Sequence, residues 1–161
     1  MTLFDARTEA GAEAGGMLEL ISFEIGGQEF CIDVRSVREI RGWTPATPMP
    51  QAPEYILGVI NLRGAVMPVL DLRCRLGLGK TEPSSRHVIV VIQHGARMAG
   101  ILVDGVQETF QLASSLLQAP PAIDFDGNDP FVDAIIPLES RMLSRLVVGS
   151  LVPMEQHADA A

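Results

Sequence analysis

Aromatic side chains are scarce in this 161-residue sequence: one Trp, one Tyr and six Phe make up 5% of it. Basic residues are scarce too, with 12 Lys and Arg against 20 Asp and Glu, a formal net charge of −8 and a pI near 4.8. A groove that holds single-stranded nucleic acid needs aromatic platforms and a basic track, and phosphate attraction supplies most non-specific binding to duplexes. A nucleic-acid-binding barrel is therefore a remote reading, and nucleic acid is not an expected partner. The only two cysteines, Cys31 and Cys74, are far apart and lack a CxxC partner, so both read as reduced thiols. His87, His94 and His157 show neither HxxxH nor HExxH spacing, so no metal site is expected. No apolar run approaches the roughly 18 residues of a membrane span, and residues 1–16 contain acidic groups and no apolar h-region. The expectation is a cytoplasmic protein without direct membrane insertion.

Apolar aliphatic residues are plentiful. The hydrophobic fraction is 47%, dominated by Val, Ile and Leu, and the mean hydropathy is +0.25. That composition favours a β-rich core over a disordered chain, and the apolar surplus points to surface that meets partners. The length suits one ordinary domain, or two half-domains sharing a core.

Residues 1–16 and 155–161 read as tails, leaving a single domain over 17–154 with two subdomains at about 17–85 and 86–154. From Leu18 the pattern Leu-Glu-Leu-Ile-Ser-Phe-Glu-Ile alternates, Gly26-Gly27 marks a hairpin turn, and Glu29 to Val34 returns as a second strand. Ser36 to Ile40 is a short turn or strand. Gly42 to Pro53 holds four prolines and reads as an extended surface loop, flanked by Trp43 and Tyr55, which are expected to pack it on a barrel, with a binding hot spot as the alternative for Trp43. Tyr55 to Leu62 and Ala65 to Leu72 are two further strands around Arg63-Gly64, followed by a short helical or looped piece through Leu76. The order then repeats, with strands at His87 to Gln93 and Met98 to Val103 and a turn over Asp104 to Glu108. Val37-Arg38-Glu39 corresponds to Val106-Gln107-Glu108. Setting Val59 to Leu72 against Ile135 to Val148 matches Ile60 with Ile136, Met67 with Leu143 and Leu70 with Leu146, after a longer connector at Ala119 to Pro130. Short strands at regular spacing with glycine turns predict two small barrels, whose closure removes sticky sheet edges.

Motifs for catalysis are weak. Gly77-Leu78-Gly79-Lys80 lacks the phosphate-loop spacing and reads as a turn. Asp124 to Asp129 does not follow the calcium-loop order and reads as a solvated acidic loop. An aspartic-protease-like pair of Asp71 and Asp104 would share a proton, but no small hydroxyl and glycine follow Asp71, and capping or turn roles suit both carboxylates better. No enzyme activity and no cofactor are expected.

One set of motifs is specific. Phe23-Glu24-Ile25-Gly26, Ile32-Asp33-Val34, Val37-Arg38-Glu39-Ile40-Arg41-Gly42, Pro48 to Pro53, Gly58-Val59-Ile60-Asn61-Leu62-Arg63-Gly64, Val69-Leu70-Asp71-Leu72-Arg73 and Gly100 to Val106 occur in that order. Together they resemble the CheW family of chemotaxis adaptors over roughly residues 18–152. The chain departs from the family pattern at Thr109 and lacks the usual Asp before the final helix within Leu146 to Ser150.

The resemblance implies a mainly all-β fold of two SH3-like five-stranded β-barrels packed on a shared apolar core, with short helical segments. It implies a non-catalytic signalling adaptor that couples the regulatory domain of a CheA-type histidine kinase to the cytoplasmic tips of methyl-accepting chemoreceptors, recruited to membrane arrays through those partners and monomeric in isolation. The alternative it leaves is a scaffold of a non-flagellar chemosensory pathway. By motif position, Val37, Glu39, Gly58, Arg63, Gly100 and Val106 match partner-interface sites. Glu39 and Arg63, a carboxylate and a guanidinium each on a turn beside apolar strands, are also suited on chemical grounds to a bidentate bridge.

Overall fold

The computed structural model describes residues 16–120 and 131–153. Most of both expected tails and the acidic loop at Asp124 to Asp129 lie outside the described residues. The chain runs through β1 (Met17–Ile25), β2 (Gln28–Asp33), β3 (Val37–Gly42), β4 (Ile56–Leu62), β5 (Ala65–Asp71), α1 (Leu72–Arg75), β6 (Val88–His94), β7 (Arg97–Val103), β8 (Gly105–Ala113), β9 (Val132–Pro137), β10 (Met142–Leu146) and α2 (Val148–Leu151). Single 3-10 turns at Val34–Ser36 and Ser114–Leu116 complete it.

The fold is mainly β, with two five-stranded sheets ordered β8-β1-β2-β10-β9 and β3-β6-β7-β5-β4. Alternation builds these strands: in β1, Leu20, Phe23 and Ile25 are fully or almost fully buried, and Gly26 and Gly27 turn into β2 with φ of 57° and 83°, which glycine adopts without a Cβ penalty. Each sheet closes over its own apolar cluster. Leu20, Cys31, Leu112, Ile136 and Leu143 fill the first, and Ile60, Leu62, Met67, Val69, Ile89, Val91 and Leu102 fill the second, with Trp43 packed against it.

The internal repeat is present down to register. Phe23 opposite Phe30 on β1–β2 recurs as Ile92 opposite Ala99 on β6–β7. Ile60 opposite Met67 recurs as Ile136 opposite Leu143. The parallel pair Val69 with Gly100 recurs as Arg145 with Cys31. Even the irregularities repeat: the bulge between Val37 and Glu39 on β3 has its counterpart where Val106 and Glu108 of β8 meet Phe23 and Ser22.

The compact units are nevertheless not the sequential halves 17–85 and 86–154. Among the described residues, one unit comprises 16–36 with 104–120 and 131–147, the other 37–103 with 148–153. The physical reason is an exchange of strands: after each hairpin the third strand pairs with the other repeat, β3 with β6 and β8 with β1. The turn expected over Asp104 to Glu108 is also corrected, because β8 starts at Gly105. Its ladder with β1, from Gly105 opposite Glu24 to Ala113 opposite Met17, satisfies the backbone groups that a turn would have left to solvent. Gln107, Glu108 and Thr109 look polar because they lie on an exposed edge strand. The Pro-rich loop is anchored as well as extended, since Thr47 and Val59 exchange two backbone hydrogen bonds of 2.9 Å.

Candidate functional site

Five of the six sequence-selected residues fall in the second unit, and three of them share one row across its sheet. Glu39 on β3 is opposite Val91 on β6, Val91 opposite Gly100 on β7, Gly100 opposite Val69 on β5, and Val69 opposite Gly58 on β4. Gly58 and Gly100 are buried, so they sit beneath the surface and shape it. A Cβ at Gly100 would lie 2.7 Å from Ile89 Cγ2, and one at Gly58 would lie 2.3 Å from the Thr47 carbonyl oxygen. Val37 opens β3 opposite Ile92 and is half-buried. Val106 is its repeat counterpart, opposite Phe23 in the first unit.

Arg63 occupies the β4–β5 turn at φ 53°, an αL geometry rare for a residue with a side chain, followed by Gly64 at φ 89°. Asn61 Oδ1 accepts from the Gly64 N–H at 2.9 Å and closes the turn. The turn aims the guanidinium at β3, where Arg63 Nη2 donates to Glu39 Oε1. Glu39 Oε2 takes a second, longer contact of 3.4 Å from Arg41 Nη1. Glu39 and Arg63 thus meet through one contact and not as the expected bidentate bridge, because the second oxygen of the carboxylate is taken by Arg41. With Arg63 72% exposed, its direct contribution to stability is small, and the same exposure leaves it open to a partner.

Sequence reasoning missed the exposed apolar residues of this unit. Val66 is 66% exposed and Ile40 45% exposed. Val66 borders a groove of about 400 Å³ lined also by Arg41, Thr44, Pro45, Thr47 and Val59. The first unit carries a matching arrangement: Arg141, in the β9–β10 turn, donates from Nη2 to Glu108 Oε2 at 2.5 Å and lies with Nε 3.1 Å from Glu29 Oε1. Met142, at the position corresponding to Val66, is 64% exposed. It borders a groove of about 500 Å³ with Glu29, Phe30, Gln107 and Arg141. The match of Val37-Arg38-Glu39 to Val106-Gln107-Glu108 was the available signal for this second bridge.

The two aspartates once paired as catalytic candidates are each committed to backbone donors. Asp71, 2% exposed, accepts from the N–H of Cys74 at 3.4 Å and of Thr81 at 2.7 Å, capping α1. Asp104 Oδ2 accepts from the Gly26 N–H at 2.8 Å. Cys31 is fully buried, and burial pushes its thiol up to about 12. Burial also raises Cys74, with the Asp71 and Glu54 carboxylates adding to the effect. Both cysteines are free thiols, and neither has the depressed pKa of a nucleophile. Among the described residues no group of three or more His, Cys, Asp or Glu is placed to hold a metal ion, and no helix is long and apolar enough to cross a membrane.

Each of the two strand-exchanged β units thus carries a glutamate–arginine bridge and an exposed apolar side chain at its surface, with no catalytic arrangement among the groups described above. Residues 19–156 match the family model described as CheW-like domain, and the chain belongs to that family. It is 47% identical over 145 residues to the chemotaxis protein CheW of Rhizobium meliloti, covering 90% of this chain and 94% of the relative. It is 31% identical to the CheW of Klebsiella aerogenes, over 87% of this chain and 84% of that one. The crystal structure of the scaffolding protein TtCheW from Thermoanaerobacter tengcongensis superposes with a TM-score of 0.74 at 28% identity, covering 81% of this chain and 88% of that chain.

Proposed function

We propose that this chain is a non-catalytic adaptor that couples the regulatory domain of a CheA-type histidine kinase to the cytoplasmic tips of methyl-accepting chemoreceptors. In this reading residues 17–154 act as one module, monomeric in isolation, cytoplasmic, and recruited to receptor arrays by the proteins it joins. The observation that carries the reading is the Glu39–Arg63 bridge, its carboxylate shared with Arg41 at the groove that exposed Val66 borders, in a chain of the CheW-like family. Apolar side chains supply contact energy and the charged turn supplies register and choice of partner. Val37, Glu39, Arg63 and Val106 meet partners, while buried Gly58 and Gly100 hold the sheet beneath them. Each single contact is modest, and the assembly gains stability because a kinase and a receptor held by one adaptor raise each other's effective concentration.

Calorimetric titration of the purified chain against the regulatory domain of a CheA kinase from the same organism tests this. The wild type is expected to bind in the micromolar range, and Arg63→Ala and Val37→Asp to bind at least about tenfold more weakly, a loss of about 1.4 kcal/mol, with unchanged circular dichroism. No binding by the wild type, or full binding by both variants, overturns the assignment.

A further inference from the structure

The internal repeat breaks at one element. α1 and α2 follow β5 and β10 at corresponding places, yet they are held differently. α1 starts behind Asp71, whose carboxylate caps it, and it packs on β5 and β7 of its own unit. The position before α2 is Val147, which has no side-chain acceptor, and its N–H donates instead to the Phe131 carbonyl at 2.8 Å. α2 then belongs to the second unit, although β10 belongs to the first. A helix of four residues is too short to be self-supporting.

Its support comes from β6 and β7. Val148, Leu151 and Val152 are buried, and α2 packs on β6. Arg97, the first residue of β7, donates from Nη1 to the carbonyls of Val152 at 3.2 Å and Pro153 at 3.0 Å. These carbonyls lie just past α2, and the charged donor satisfies them where the helix has ended. His94, opposite Arg97 in the hairpin, lies against Gly149, where an added Cβ would come within 2.9 Å of ring atoms Cε1 and Nε2.

We propose that Val148–Pro153 is a releasable clasp, locked on the second unit by Arg97 and seated through the contact of Gly149 with His94. Opening it uncovers Val148, Leu151 and Val152 together with the apolar surface of β6 beneath them, while both sheets keep their ladders. The clasp goes beyond the adaptor reading and does not depend on it. Short elements of this kind open locally at lower free energy than the core strands.

Hydrogen exchange of the full chain, read by mass spectrometry, tests the clasp with Arg97→Met, which keeps much of the aliphatic stem and removes the donors. Exchange within 148–153 is expected to accelerate about 10- to 100-fold, the effect of losing hydrogen bonds to a charged donor, with β1, β2 and β8 unchanged. Acceleration of all strands alike, or none within 148–153, overturns the proposal. As a second arm, Gly149→Val is expected to accelerate the same segment, and His94→Ala in that background to restore its protection. Failure of His94→Ala to restore protection overturns the seat.

Discussion

Val69 lies between two glycines, antiparallel to Gly58 on β4 and parallel to Gly100 on β7. Neither glycine is there merely for flexibility. Space for a side chain at Gly100 is already taken by Ile89, and space at Gly58 by the backbone of Thr47. The row that ends at Glu39 therefore rests on close packing at both flanks of Val69.

Gly100→Ala is expected to destabilise the fold by about 1–3 kcal/mol, because the new methyl forces Ile89 off its position in a filled core. Urea unfolding measures this. Ile89→Ala alone leaves a cavity costing about 2–5 kcal/mol, but it also removes the clashing methyl, so the double variant should lose less than the sum of the two. Strict additivity would show that the two side chains do not compete for the same space.

Gly58→Ala acts through backbone. Gly58 holds φ 150°, and the carbonyl that its Cβ would strike belongs to the Thr47–Val59 bridge that anchors the Pro-rich loop. The expected result is loss of that bridge and faster limited proteolysis between residues 44 and 53, before any global unfolding. A variant with the wild-type cleavage pattern would contradict this anchoring.

Local features of this architecture were legible in the sequence. The alternation from Leu18, the Gly26-Gly27 turn and the cap at Asp71 depend on residue types at short spacing, whereas the Glu39–Arg63 pair was legible only as complementary chemistry, since Glu39 lies within β3 and not on the turn expected for it. The repeat was legible because Ile60, Met67, Ile136 and Leu143 keep their order. Strand exchange was not: nothing in Val37–Gly42 states that its partner is β6 and not its own hairpin, since long-range pairing leaves no mark on local alternation. For the same reason the polar start of β8 passed for a turn. Val66 and Met142 were invisible as surface residues because apolar side chains at strand positions normally indicate burial.

Cys31 provides a pH-linked prediction. Burial raises its thiol in the folded chain from 9.0 to about 12, so the unfolded chain ionises first as pH rises. The contribution of this group to stability is complete below about pH 9, where both states hold the proton, and falls progressively from there towards pH 12. Labelling by a disulfide reagent at pH 8 is expected to modify partly exposed Cys74 faster than Cys31, which reacts only at the rate of unfolding. Rapid labelling of Cys31 in the native protein would show that the thiol is not enclosed.

Neighbouring residues on β5 and β10 should differ sharply in their tolerance. Val66 and Met142 face outward at 66% and 64% exposure, whereas the next residues, Met67 and Leu143, are 2% and 0% exposed, as the two-residue period of a strand requires. Met67→Ala and Leu143→Ala each remove a core side chain at the same place in the repeat and are expected to cost about 2–5 kcal/mol. Val66→Ser and Met142→Ser change only surface and are expected to stay within about 0.5 kcal/mol of wild type. Denaturant midpoints of the four variants decide the matter. Because Met67 pairs with Ile60 as Leu143 pairs with Ile136, a large loss in one unit and none in the other would mean that the two units do not share the side-chain packing their common register implies.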